Sequence, residues 1–222
     1  MKILATSDSH FAFDSTDWPD ADVFIHAGDL MYEGLVAEWA IRQASLTAVN
    51  APVKIYVPGN HDYYPFHYEG LAASQLRKEA GVIMARSHKP VITLPNQMKM
   101  LCVPYVGNLP GWAYNVSDEW LADWLTQATS GYTIDVVVSH APPYNILDAI
   151  EPLASTTKKQ NHVGSKALRW WWDALDTKPL LWFCGHIHES YGSEVKDGTH
   201  FYNVAQCDEE YKQVNEPVLI TL

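Results

Sequence analysis

Five short motifs gather residue types that bind divalent cations. They are Asp8-Ser9-His10, Gly28-Asp29, Gly59-Asn60-His61-Asp62, His140 within Ser139-His140-Ala141-Pro142-Pro143, and Gly185-His186-Ile187-His188. Aspartate, asparagine and neutral imidazole suit ions of intermediate hardness such as Mn2+, Fe2+, Zn2+ or Ni2+. Two such ions about 3.5–4 Å apart need a ligand that spans them, and a carboxylate has two oxygens with which to do so. Each motif alone is weak, because an Asp-x-His or His-x-His triplet is common by chance. Their shared chemistry and their order along the chain make the set informative.

Four of the five motifs directly follow a run that reads as a strand. Strands are expected over Lys2–Thr6, Asp22–His26, Val53–Val57, Met98–Val103, Ile134–Ser139, Leu180–Cys184, His200–Val204 and Val218–Leu222. Several are apolar without alternation, as strands covered on both faces are. Ligands of open α/β sheets collect beyond the carboxyl ends of strands, so the polar motifs are expected to converge there.

Helices separate these strands. Ser117 is placed to cap one, with Asp118 and Glu119 in its first turn and Trp120, Leu121, Trp124, Leu125 and Ala128 on one face. Ser165 caps another, with Ala167, Leu168, Trp171, Trp172 and Leu175 as its stripe. Tryptophans at helical spacing are read as core rather than as a stacking platform. A third helix is expected from Leu35 to Val49 and a weaker one from Leu71 to Ala80. The stretch Asn145 to Asn161 has no clear period and reads as a lid-like loop or an irregular helix. The expected architecture is α/β, a layered sandwich of mixed β-sheets flanked by helices, in one domain spanning residues 1–222.

Composition limits the partners. The formal net charge is −11, with 26 acidic against 15 basic residues, where a protein bound to nucleic acid polymers carries a basic face. Lys158-Lys159 is the one basic cluster of note. A phosphate substrate remains compatible, because bound metal ions supply positive charge locally. Cys102, Cys184 and Cys207 are widely spaced and odd in number, which fits buried free thiols in a reducing compartment. No apolar run approaches the ~20 residues of a membrane span, and no leader pattern precedes Ile3. The expectation is a cytoplasmic protein with no membrane partner; the oligomeric state is left open.

The ordered set D-x-H, G-D, G-N-H-D, H and G-H-x-H resembles that of the calcineurin-like metallophosphoesterases, over nearly the whole chain. The stretches 106–115, 139–143 and 185–192, with Asn203-Val204-Ala205 and Asn215-Glu216-Pro217, resemble its small metallophosphoesterase-domain-containing branch. The resemblance implies that Asp8, His10 and His188 hold one metal, that Asn60, His140 and His186 hold the other, and that Asp29 bridges. It further implies that His61 stands beside the substrate phosphate and that Asp62 orients it. Some members of the branch carry Gly where this chain has His186, so a complete binuclear site is expected here, with Mn2+ favoured and Fe, Zn or Ni as alternatives. His26 is read as a supporting neighbour of Asp29, and His67, His88, His162 and His200 as structural.

The implied reaction is hydrolysis of a small-molecule phosphate ester by a metal-bridging hydroxide, with His61 as general acid. Diesters, cyclic nucleotides among them, are favoured by the branch. Tyr63, Tyr64, Phe66, Tyr105, Trp112 and Tyr144 are the aromatics available either to stack on a substrate ring or to pack the loops. The alternatives are a phosphomonoesterase or nucleotide pyrophosphatase with the same site, and a non-catalytic metal-binding scaffold. A nuclease is disfavoured by the acidic charge.

Overall fold

The computed structural model of the chain describes residues 1–11, 13–15, 17–107, 109–150 and 161–222. Its short β-branched runs build two sheets. The first has the order β15-β1-β2-β3-β4, with β1 Lys2–Thr6, β2 Val23–His26, β3 Val53–Tyr56, β4 Val82–Met84 and β15 Val218–Thr221. Strands β1 to β4 are parallel and β15 runs antiparallel to β1. The second sheet has the order β13-β14-β12-β9-β6-β5, with β5 Val91–Thr93, β6 Lys99–Val103, β9 Val136–Ser139, β12 Leu181–Cys184, β13 Gly192–Lys196 and β14 Thr199–Asn203. Its four inner strands are parallel and its two edges antiparallel. Two short ladders lie outside the sheets, β7 Val106–Gly107 with β8 Asn115–Val116, and β10 Ala149–Ile150 with β11 Asn161–His162.

Non-alternating strand sequences have a direct cause. Ile3 and Ala5 of β1 face a core between the two sheets, whereas Leu4 faces outward under helices. Val136 and Val138 of β9 do the same, with Val137 outward. Helices α1 Val36–Ala48 and α3 Glu69–Glu79 cover the first sheet through Trp39, Leu46, Ala72 and Leu76. Helices α4 Asp118–Ala128 and α5 Lys166–Ala174 cover the second through Leu121, Leu125, Leu168 and Trp172. Both faces of the central parallel strands are thus covered, as such strands require, while the edge strands β5, β13 and β15 stay partly exposed, and the result is the expected layered α/β sandwich.

All eight expected strands and all four expected helices are present, with ends shifted by one or two residues. Ser117 and Ser165 cap as read, their hydroxyls accepting from the N–H of Trp120 and Leu168, each at 3.2 Å. One correction concerns the α4 stripe. Trp120 is 46% exposed and lies over Trp124 and the edge of Tyr105 rather than in the core. The helix α2 Tyr63–His67 was not expected, because Pro65 and its aromatic neighbours hide so short a turn. Asn108, the Lys158-Lys159 pair and the expected lid or helix over 151–160 lie outside the described residues. No described helix is long and apolar enough to cross a membrane.

Candidate metal centre

The two sheets meet at their carboxyl ends, and every motif sits there. The first sheet supplies Asp8, His10, Asp29, Asn60 and His61 from the loops after β1, β2 and β3. The second supplies His140, His186 and His188 from the loops after β9 and β12. These loops turn sharply. Asp8, His10, Asp29 and His186 have positive φ of 50°, 39°, 54° and 68°, a strained conformation for residues bearing a Cβ and one found at functional sites. Cross-loop hydrogen bonds hold them, among them Asp8 N–H to the Gly28 carbonyl at 2.8 Å and His186 N–H to the Asp8 carboxylate at 2.9 Å. Gly59 has no alternative here. A Cβ on it would lie 2.6 Å from His140 Nε2 and collide with Asp29.

Three sets of donor atoms, each within 4.8 Å of one another, result: Asp8, His10 and His188; His10, Asp29 and His61; Asp29, His140 and His186. Asp29 belongs to the set containing His10 and to the set containing His140. Asn60 joins the last, with Oδ1 3.0 Å from His140 Nε2. The imidazoles are oriented from behind by backbone carbonyls, which only accept. Nδ1–H of His10 donates to Met31 O at 3.1 Å, that of His61 to Tyr32 O at 2.6 Å, that of His140 to Ala27 O at 2.9 Å and that of His188 to Asp208 O at 2.7 Å. In all four, Nε2 is left to face the cluster, the arrangement that fixes the tautomer of metal-binding histidines.

The donor set fits a divalent pair. His10 Nε2 is buried with no hydrogen-bond partner, although it lies among carboxylates. Without an ion, protons occupy the other positions. Burial alone would lower His140, yet the Asp29 charge and hydrogen bond raise it to about 9. Burial is likewise outweighed at His188, where the hydrogen bond and charge of Asp8 raise it to about 9. Burial pushes Asp8 and Asp29 up, but the facing histidines hold both carboxylates below their ordinary range. His186 moves the other way, lowered to about 4 by burial and then by the charge of His140.

His61 and Asp62 need separate treatment. His61 Nε2 lies 4.0 Å from Asp29 Oδ2, so it borders the cluster. The expected orientation of its ring by Asp62 is not what is found, since His61 Nδ1 is committed to the Tyr32 carbonyl and Nε2 faces Asp29. Asp62 instead accepts from the N–H groups of Gly59 at 2.7 Å, Asp29 at 2.9 Å and Met31 at 3.0 Å. It therefore ties the Gly28-Asp29 loop to the Gly59-Asn60 loop. Burial and then the Asp29 charge push Asp62 up to about 7. His26 is fully buried, bonded to Ser9 Oγ at 2.9 Å and to the Gly28 N–H at 3.4 Å, behind the loops of the site.

A hollow of about 280 Å3 opens over the cluster, lined by Asp29, Asn60, His61, His186 and His188, with Trp112, Tyr211, Glu189 and Glu209 at its walls. Of the aromatics read from the sequence, Tyr64 and Tyr105 are buried packing groups, whereas Trp112 is 40% exposed with its ring 4.6 Å from that of His61. Tyr32, Tyr211 and the four orienting carbonyls were not expected. A carbonyl carries no side-chain signal, and Tyr32 and Tyr211 reach the site only through loop geometry.

Comparison with known proteins identifies relatives and a shared fold. The chain is 27% identical over its whole length to metallophosphoesterase domain-containing protein 1 of Homo sapiens and of Mus musculus, covering 71% of each. The solved structure of TT1561 from Thermus thermophilus superposes with a TM-score of 0.63 at 16% identity, over 91% of this chain and 88% of that one, and so shares the fold. The model of the calcineurin-like phosphoesterases, whose chemistry is metal-dependent hydrolysis of phosphate esters, matches residues 1–190. On that match the chain belongs to the calcineurin-like phosphoesterase family.

Proposed function

We propose that the protein is a binuclear metal-dependent phosphodiesterase of small phosphate esters, cyclic nucleotides being candidate substrates. The observation that carries this reading is the place of Asp29, common to the donor set of His10 and that of His140 and His186. Asp8, His10 and His188 would hold one ion and Asn60, His140 and His186 the other, with Asp29 the carboxylate available to both. Mn2+ is favoured over Mg2+, because four of the seven donors are imidazoles and Mg2+ prefers oxygen and retained water. When bound, the ions lower the pKa of a water and neutralise charge on the phosphoryl oxygens.

The chain's own residues complete the chemistry. His61 donates its Nδ1–H to the Tyr32 carbonyl, so as the imidazolium it carries a second proton on Nε2 that it passes to the leaving oxygen, ending as the neutral ring. Trp112 beside it gives the leaving group an apolar wall. The strained, cross-bonded loops hold these groups in place before substrate arrives. Cys102, Cys184 and Cys207 are buried and unpaired, which favours a reducing compartment such as the cytoplasm.

The test is chelation followed by reconstitution, with bis(4-nitrophenyl) phosphate and 4-nitrophenyl phosphate as substrates. Loss of turnover on chelation, rescue by Mn2+ above Mg2+ and preference for the diester are expected. Turnover that survives exhaustive chelation contradicts the metal, and preference for the monoester contradicts the diesterase.

A further inference from the structure

A second hollow of about 510 Å3 adjoins the metal hollow, and His186 and Leu109 line both. Its remaining walls are Gly107, Tyr144, His162, Val163, Gly164, Lys166 and Ile187. The two hollows differ in chemistry. Glu189 and Glu209 stand at the first, whereas Lys166 is the single Lys or Arg among the described residues lining either. Lys166 has no carboxylate within ion-pair distance among the described residues, and its Nζ lies 6.0 Å from the centre of the Tyr144 ring. Tyr144 is 37% exposed, with His162 against it at 6.0 Å between ring centres.

These walls are held in place. Asp148, 1% exposed, accepts from His162 Nδ1 at 2.6 Å and from the N–H groups of Asn145 and Gly164, each at 2.9 Å. That fixes the His162 ring and leaves its Nε2 as the nitrogen open to a ligand. Ser165 bonds back to Pro142 and Tyr144 through the main chain, each at 2.9 Å. The Tyr144 wall thus belongs to the same loop as His140.

His61 and Trp112 line the metal hollow but not the second one. A leaving group that takes its proton from His61 departs on the Trp112 side. Resting on the phosphoesterase reading above, we infer that the second hollow seats the ester group that stays on phosphorus, and that this group is an aromatic ring bearing hydrogen-bond acceptors, of the nucleoside class. Tyr144 supplies a stacking face, while Lys166, which only donates, meets the acceptors.

The experiment uses the Mn2+-loaded full chain and three diesters that share 4-nitrophenolate as leaving group and differ only in the retained group: methyl, phenyl and 5′-thymidyl. In the wild type kcat/KM rises from methyl to phenyl to thymidyl. Tyr144→Ala lowers kcat/KM for the phenyl and thymidyl esters by roughly tenfold or more, the scale of one lost stacking contact, and leaves the methyl ester within about twofold. Tyr144→Phe keeps all three rates. Lys166→Met lowers only the thymidyl ester. Binding of thymidine 5′-phosphate, measured by calorimetry, weakens in Tyr144→Ala by a factor similar to the thymidyl loss. Equal losses on all three esters, or none on any, overturn the assignment of this hollow. Absence of turnover of all three by the wild type, methyl ester included, refutes the phosphoesterase reading itself.

Discussion

His140 closes the site across the two sheets: its Nε2 lies 3.3 Å from Asp29 Oδ2, while its Nδ1 donates to the Ala27 carbonyl at 2.9 Å. With Nδ1 committed as a donor and Nε2 facing the oxygens of Asp29 and Asn60, the metal-free ring holds a second proton on Nε2. His188 repeats this against Asp8.

Metal affinity therefore depends on pH. Below about 9 both His140 and His188 are protonated in the metal-free protein, and an ion must displace those protons. Apparent affinity rises with pH, by up to roughly one decade per unit for each proton displaced. Mn2+ titrations at about pH 6.5 and 8 check this. Equal affinities at the two values contradict it.

A methyl group at Gly59 is expected to break the site without breaking the core. The added Cβ meets the Asp29 carboxylate first and then the Asp29 nitrogen and His140 Nε2, each at 2.6 Å. Gly59→Ala should lose bound metal and at least about 10²-fold in kcat/KM, the scale of a misplaced catalytic group. Its circular dichroism should stay native. Full metal content with wild-type turnover contradicts the close packing described.

His61 sits in a donor set with His10 and Asp29, so it is open to two roles. As a proton donor it is dispensable for metal binding. His61→Ala then keeps both ions and loses roughly 10²–10⁴ on alkyl diesters, and much less on nitrophenyl diesters, whose leaving group needs no proton. Loss of an ion in elemental analysis assigns His61 to the metal instead. Equal losses on both diesters remove the general-acid role.

Stability should fall with pH because of His26. Burial, opposed by the charges of Asp8 and Asp29, lowers it from 6.5 to about 3. Native His26 stays neutral down to about that value, whereas the unfolded chain takes up the proton near 6.5. Between the two the unfolded state binds more protons, so stability drops as pH falls. From pH 7 to 5.5 the His26 share is roughly 1 kcal/mol. Urea unfolding of chelated wild type and His26→Gln at both values measures it, and identical pH slopes for the two proteins contradict it.

The sequence disclosed the ligand types and the strands that carry them, because ligand chemistry resides in side chains and β-branched runs announce buried strands. Lys2–Thr6 followed by Asp8-Ser9-His10 is such a case. Three-residue strands such as Val82–Met84 and Val91–Thr93 are too short to show a period. The anchoring of His61 was illegible for another reason. The resemblance implied Asp62 as the orienting residue, yet the hydrogen-bond partner is the Tyr32 carbonyl, 29 residues away. His162 read as structural because it matches no ligand position of the family pattern, and its link to Asp148, 14 residues away, has no motif to mark it.

The claim that Asp29 joins two ions is tested most directly by elemental analysis of Asp29→Ala, after Mn2+ loading and removal of free metal, beside the wild type. The wild type should carry two ions per chain. The variant should carry one or none and lose turnover, since no other described residue belongs to both the His10 set and the His140 set. Two ions retained in Asp29→Ala, with turnover near that of the wild type, would contradict the account.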